Sequence, residues 1–271
     1  MSTGKRKLPK LVSSDIGGTL LRGKSEIPSF TVDVLNRLVN HVPVALITGY
    51  NYNTTLKFTR DLDHRILLMP QNGTLCIKEK KLVWEYRIPE YAACELYEYL
   101  DENNLPIIIY KGKIENFKNF YVNQEDIPSL SYGFQRINRL KHFENITGIS
   151  TLLPDGKALT IKGIIESIVG DKFKVIYTRE ARGSWLEVVH TEVRKDLTLK
   201  RLCSELSIPL ADVVYFGDNF NDREVLQIVG YPVLVENAAP ELREEFPTVI
   251  PSVYEEGVAH YLNDLYHLNI I

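Results

Sequence analysis

Leu11-Val12-Ser13-Ser14-Asp15-Ile16-Gly17-Gly18-Thr19-Leu20 starts as a short apolar run and leads through two serines into an aspartate and the Gly17-Gly18 turn. In an open parallel sheet, ligands bind beyond the carboxyl ends of the strands, so a polar residue directly after an apolar run marks a candidate site. Asp15 is one such residue. Thr48 follows Val44-Ala45-Leu46-Ile47, and Asp218 follows Val213-Val214-Tyr215-Phe216-Gly217. Asp222 comes one helical turn after Asp218, and Lys195 opens an amphipathic run before the last of these strands. Carboxylates, a hydroxyl and an ammonium from separate elements can thus converge on one crevice.

The surrounding sequence supports that placement. Val32, Leu35, Leu38, Val39 and Val42 fall at helical spacing, and the run 43–48 has the compactness of a buried strand. The spacing predicts a helix over 52–62 and a strand over 66–69. The same rhythm returns as a helix over 195–206, a strand over 213–216, a helix over 222–229, a strand over 232–235 and closing helices over 241–246 and 254–265. Alternation of this kind predicts an α/β fold with a parallel sheet covered by helices on both faces. Residues 82–190 differ. Strands are expected at 107–110, 117–122, 149–153, 173–177 and 185–189, with helices over 91–100 and 159–169. Such a block between two halves of a parallel sheet predicts an inserted α+β domain, leaving a discontinuous first domain of 1–81 and 191–271.

Composition narrows the function. At 271 residues the chain has room for roughly two domains of ~150 residues. The net charge of -3 argues against a nucleic-acid binder, which normally carries a basic excess. Cys76, Cys94 and Cys203 are odd in number and lack CxxC spacing, so they form neither a disulfide framework nor a zinc site. No apolar run approaches the ~18 residues of a membrane span, and Ser13-Ser14-Asp15 interrupts any signal-peptide core after the basic 1–10 segment. The expectation is a cytoplasmic protein of a reducing compartment, without a membrane or nucleic-acid partner.

Chemically, the polar set suits phosphoryl transfer. A carboxylate can act as the nucleophile and form an aspartyl-phosphate. Carboxylates and phosphate oxygens together hold a hard divalent cation such as Mg²⁺, and a lysine and a hydroxyl stabilise charge on the phosphoryl oxygens.

With these residues in hand, the chain resembles the haloacid dehalogenase superfamily of hydrolases, and within it the Cof-type sugar-phosphatase group with a large α/β cap. Ser14 to Leu20 resembles the nucleophile loop, and Ile47-Thr48-Gly49 the second motif. Asn72-Gly73 resembles the turn before the cap, Lys195 the phosphate-binding lysine, and Gly217-Asp218-Asn219-Phe220-Asn221-Asp222 the metal-binding GDxxND motif. Glu236-Asn237-Ala238 and Gly257-Val258-Ala259 also occur in that group. The resemblance implies a doubly wound core with an inserted cap that closes over the crevice. It implies that Asp15 attacks phosphorus on a small phosphorylated metabolite. Thr48, Gly49, Lys195 and Asn221 would bind the phosphate. Mg²⁺ would be held by Asp15, the Gly17 carbonyl and Asp218, with Asp222 orienting metal-bound water or Lys195.

Two positions depart from the family pattern. Gly17 stands where the phosphatases carry a second aspartate, which protonates the leaving alkoxide and then activates water, a contribution of typically ~10²–10⁴-fold. Tyr50 stands where arginine is more usual. The resemblance then leaves four outcomes: a weakened phosphatase, an acid replaced by a water or a cap-domain residue, different chemistry such as P–C bond cleavage, or a protein that binds phosphorylated ligands with little turnover. Asp15-Ile16-Gly17-Gly18-Thr19 also resembles the phosphate loop of actin-like sugar kinases, but a second glycine-rich loop is missing from the sequence. Within the insertion, Lys157, Arg179, Arg182 and Trp185 are candidates for substrate contact, or equally for a solvated hairpin tip and helix start.

Overall fold

The computed structural model describes residues 7–23, 26–112, 118–122, 134–180 and 183–270. Contacts divide the chain into two compact units: Met1–Tyr50 with Thr55–Val83 and Arg194–Ile271, and Asn51–Thr54 with Trp84–Val193.

The first unit is built on an eight-stranded sheet. Its strands are β1 (Leu11–Ser14), β2 (Val44–Ile47), β3 (Leu67–Met69), β4 (Leu75–Lys78), β5 (Lys81–Glu85), β12 (Val213–Gly217), β13 (Tyr231–Val235) and β14 (Val249–Ile250), in the order β14-β13-β12-β1-β2-β3-β4-β5. From β14 through β3 all neighbours run parallel, whereas β3 and β4 are antiparallel. The α/β core is therefore a mixed sheet rather than a purely parallel one. The antiparallel edge goes unseen in the sequence because Lys78-Glu79-Lys80-Lys81 reads as a loop. There Glu79 and Lys80 both take positive φ (51° and 62°) and turn the chain between β4 and β5.

Every residue of β1, β2 and β12 is buried, as central parallel strands covered on both faces require. Helix α1 (Ser29–Leu38) buries Thr31, Val34, Leu35 and Leu38, a spacing of three and four that makes one apolar stripe. Helix α2 (Tyr52–Phe58) stops short of the expected residue 62, as α1 does of Val42. Helix α5 (Lys195–Leu206) spans the residues that its periodicity predicts. Helices α6 (Arg223–Ile228), α7 (Pro240–Glu245) and α8 (Gly257–Leu265) complete this unit. The chain winds outward from β1 through β2 to β3 and, on the other side, from β12 to β14. The winding reverses between β1 and β12, the point at which open α/β sheets place ligands.

The second unit carries its own six-stranded sheet, β10-β11-β9-β6-β7-β8. Its strands are β6 (Ile107–Lys111), β7 (Lys118–Val122), β8 (Phe134–Arg136), β9 (Ile146–Leu153), β10 (Phe173–Glu180) and β11 (Gly183–His190). All pairs are antiparallel except β7 with β8. Helices α3 (Glu90–Glu102) and α4 (Asp155–Val169) bury Leu96, Leu100, Ala158 and Ile165 in one apolar cluster with Ile109, Ile149, Leu186 and Val188 of the sheet. Arg182 lies outside the described residues. Trp185 is half-buried on β11, and Lys157 is exposed in the first turn of α4. Cys76 and Cys203 are buried free thiols and Cys94 is a half-buried one. Among the described residues no helix is long and apolar enough to cross a membrane.

Candidate active site

Parallel register sets the ends of three strands side by side. Ser14 of β1 is paired with Phe216 of β12 and with Leu46 of β2. The residues just beyond, Asp15, Asp218 and Thr48, therefore emerge at one edge of the sheet. Asp15 is pinned there by its backbone N–H, which donates to the Phe216 carbonyl at 2.9 Å.

The side chains meet. Lys195, only 3% exposed, donates through Nζ to Asp15 Oδ1 and to Asp222 Oδ1, both at 2.8 Å. Asp222 has no exposed surface and accepts on both oxygens. Oδ1 also takes the Tyr215 hydroxyl at 2.6 Å, and Oδ2 takes the N–H groups of Asp218 and Asn219, each at 3.2 Å. Four donors fill the lone-pair sites of one carboxylate, so Asp222 is the anchor of the set. Asp218 Oδ1 accepts from Thr19 Oγ1 at 3.1 Å. Asp15, Asp218 and Asp222 each offer an oxygen within 4.8 Å of the others, an arrangement consistent with metal binding.

Electrostatics sets these groups apart. Burial pushes the Asp15 carboxyl well above the usual carboxylate range; Lys195 pulls it back, while Asp222 and Asp218 add to the rise. Asp218 is pushed up to about 6 by burial and by Asp222. Lys195 loses solvation yet is held above its ordinary value by Asp15 and Asp222. Three carboxylates share one ammonium, and the two outer ones resist ionising. The set is short of positive charge and rich in hard oxygen donors, so its chemistry fits a divalent cation.

The loop after β1 is shaped by close approach. Gly18 has φ +80°, and a Cβ there would collide with Asp218 Oδ2. Gly18→Ala is expected to cost about 1–3 kcal/mol in backbone strain, seen as a lower melting temperature, and to displace Asp218. An unchanged melt would show that the loop accommodates a side chain. The Gly18 carbonyl accepts from Asn237 Nδ2 at 2.8 Å, and Asn237 Oδ1 accepts from the Val253 N–H, so Asn237 ties the loop to the C-terminal segment.

Thr48 is buried, and its Oγ1 accepts from the Tyr50 N–H at 3.3 Å. Gly49 is exposed beside it. The Asn72 N–H donates to the Thr48 carbonyl and the Gln71 N–H to the Tyr50 carbonyl, each at 2.8 Å. Gln71 and Asn72 both have positive φ (51° and 55°), and Thr198 Oγ1 clasps the Asn72 carbonyl. Asn221 is exposed on the turn Phe220–Asp222, and no hydrogen bond among the described residues joins its side chain to the cluster. Sequence reasoning passes over Thr19, Tyr215 and Thr198, whose hydroxyls bind the cluster and its loops. Tyr215 lies within an apolar strand run, where only the three-dimensional position of its hydroxyl gives it away.

The family of haloacid dehalogenase-like hydrolases matches residues 12–262. A Yersinia pestis protein named HMP-PP phosphatase is 27% identical over 274 residues, covering 94% of each chain. The crystal structure of a haloacid dehalogenase-like hydrolase from Bacteroides thetaiotaomicron superposes with a TM-score of 0.82 at 21% identity, covering 95% of this chain and 99% of the other. A structure described as a HAD subclass IIB sugar phosphatase gives a TM-score of 0.67 at 16% identity, covering 97% of this chain and 100% of the other.

Proposed function

The chain belongs to the haloacid dehalogenase-like hydrolase family, and on that premise we propose that it is a Mg²⁺-dependent phosphohydrolase acting through an aspartyl-phosphate on a small phosphorylated metabolite. The observation that carries this reading is the buried Asp15 at the winding reversal, hydrogen-bonded to Lys195 and flanked by Asp218. The Yersinia relative's name, which specifies a phosphorylated small molecule, supports the substrate class.

Asp15 is the attacking carboxylate, reaching phosphorus through the Oδ that Lys195 does not hold. Lys195 orients that carboxylate and offsets charge gathering on the phosphoryl oxygens, and Thr48 Oγ and the Gly49 backbone bind those oxygens. Asp222 acts at one remove by fixing the Lys195 ammonium. Asp15, Asp218 and the Gly17 carbonyl would hold Mg²⁺. When bound, Mg²⁺ neutralises the carboxylates and draws charge off the phosphoryl group.

The test is steady-state phosphate release with Mg²⁺ from p-nitrophenyl phosphate, acetyl phosphate and a panel of sugar phosphates. Release from at least one is expected. Silence on all would overturn the hydrolase reading and favour a protein that only binds phosphorylated ligands. Asp218→Ala is expected to weaken Mg²⁺ binding by about 10-fold or more, measured as the metal-dependent rise in melting temperature. An unchanged metal titration would remove Asp218 from the metal site.

A further inference from the structure

Resting on the phosphohydrolase reading above, we propose that Tyr50 is a catalytic residue: its phenol hydroxyl is the proton donor to the leaving group, standing where a side chain on residue 17 would stand.

Gly17 is not demanded by its own backbone, which lies outside the left-handed region. A neighbouring side chain fills the space beside it. A Cβ built on Gly17 would come 2.9 Å from Tyr50 Oη, 3.2 Å from Cζ and 3.3 Å from Cε2. The tip of the Tyr50 ring therefore occupies the space beside the nucleophile loop, two residues beyond Asp15. The glycine at 17 and the tyrosine at 50 are two halves of one feature.

The main chain of Tyr50 is fixed at both polar groups, and its ring has one aromatic neighbour. Tyr50 N–H donates to Thr48 Oγ1, and its carbonyl accepts from the Gln71 N–H. Its ring packs tilted on Phe58, with centroids 5.3 Å apart.

The hydroxyl is also an available donor, while most other donors of the cluster are taken. Lys195 is committed to Asp15 and Asp222, Thr19 to Asp218, Tyr215 to Asp222, and Ser14 Oγ to the Asp15 carbonyl. Among the described residues none accepts a hydrogen bond from Tyr50 Oη.

An alkoxide is a poor leaving group until it gains a proton. As Asp15 Oδ bonds to phosphorus and the P–O bond to the alcohol breaks, the phenol proton moves to the departing oxygen. The resulting phenolate takes a proton from the water that attacks the aspartyl-phosphate. Phosphate leaves, and Asp15 and Tyr50 return to their starting forms.

Tyr50→Phe removes one oxygen and keeps the ring. Its rate is to be compared on p-nitrophenyl phosphate, whose leaving group departs without a proton, and on glycerol phosphate, whose leaving group needs one. The expected result is a loss of about 10²-fold or more in kcat/KM on glycerol phosphate and of less than about threefold in kcat/KM on p-nitrophenyl phosphate, because kcat/KM ends at leaving-group departure, while kcat falls on both esters as the shared water attack loses its base. An equal loss on both esters, or no loss on either, overturns the role of Tyr50 while leaving the hydrolase reading in place. Wild-type silence on both sinks the hydrolase reading, and the role of Tyr50 with it.

A second comparison is independent of that ratio. Gly17→Asp alone is expected not to raise glycerol phosphate turnover, because the new side chain meets the Tyr50 ring. Gly17→Asp combined with Tyr50→Ala is expected to exceed Tyr50→Ala alone by about 10-fold or more. A full gain from Gly17→Asp with Tyr50 in place would overturn the proposal.

Discussion

Asp15→Asn is expected to lower phosphate release by about 10⁴-fold or more, to the level of the uncatalysed ester. The substitution keeps the shape of the side chain and removes the charge that makes it a nucleophile. The amide oxygen can still accept the Lys195 hydrogen bond seen at 2.8 Å, so the loop and the lysine stay where they are. Stability is expected to hold within about 1 kcal/mol, because burial already disfavours the ionised Asp15 and a neutral group relieves that cost. Activity and stability should thus separate in one variant. Two measurements check this. A thermal melt should superimpose on that of the wild type. Acid-quenched enzyme after incubation with radiolabelled acetyl phosphate should carry label in the wild type and none in the variant. Retained Mg²⁺-dependent turnover in Asp15→Asn would show that another group attacks phosphorus.

The sequence exposes this site unevenly, and the reason is physical. Asp15, Thr48 and Asp218 are visible because each is a polar residue at the carboxyl end of a mostly apolar strand, and buried parallel strands are mostly apolar. Lys195 is visible only as the first residue of an amphipathic helix, where its basic neighbours make it look like solvated surface; packing buries it. The expected α/β core and inserted α+β unit are present, and the boundaries of α5 match the periodicity because Leu199, Leu202 and Cys203 face inward along its length. The ends of α1 and α2 are less visible, since the apolar spacing continues past the point where the chain leaves the helix. Contacts between distant residues leave no local trace at all. Nothing near Gly17 in the sequence announces the Tyr50 ring, and nothing near Tyr215 announces Asp222. The two departures at 17 and 50 look unrelated in one dimension and turn out to share one volume.

Lys195→Met is expected to have the second large effect, and on both stability and rate. Lys195 is the first residue of α5, where the positive end of the helix disfavours a cation by a few tenths to ~1 kcal/mol. A lysine is therefore a poor choice for the helix itself, and the two carboxylates at 2.8 Å must supply its reason for being there. Removing it leaves Asp15 and Asp222 buried without their counter-charge. Breaking one side of a buried ion pair costs about 3–5 kcal/mol, which lowers the melting temperature of a chain of this size on the order of 10 °C. Methionine fills nearly the same volume, so the loss reports charge rather than a cavity. The cost should shrink when Asp222→Asn is combined with it, because the second substitution removes one of the stranded charges. Rate is expected to fall by about 10²–10³-fold, since the phosphoryl oxygens lose a fixed positive group in a buried site. If Lys195→Met melted with the wild type, the carboxylates would have to be neutral in the folded protein and Lys195 would not be what holds Asp15 for attack. If the double variant were no better than the single one, Asp222 would not be the residue that positions the ammonium.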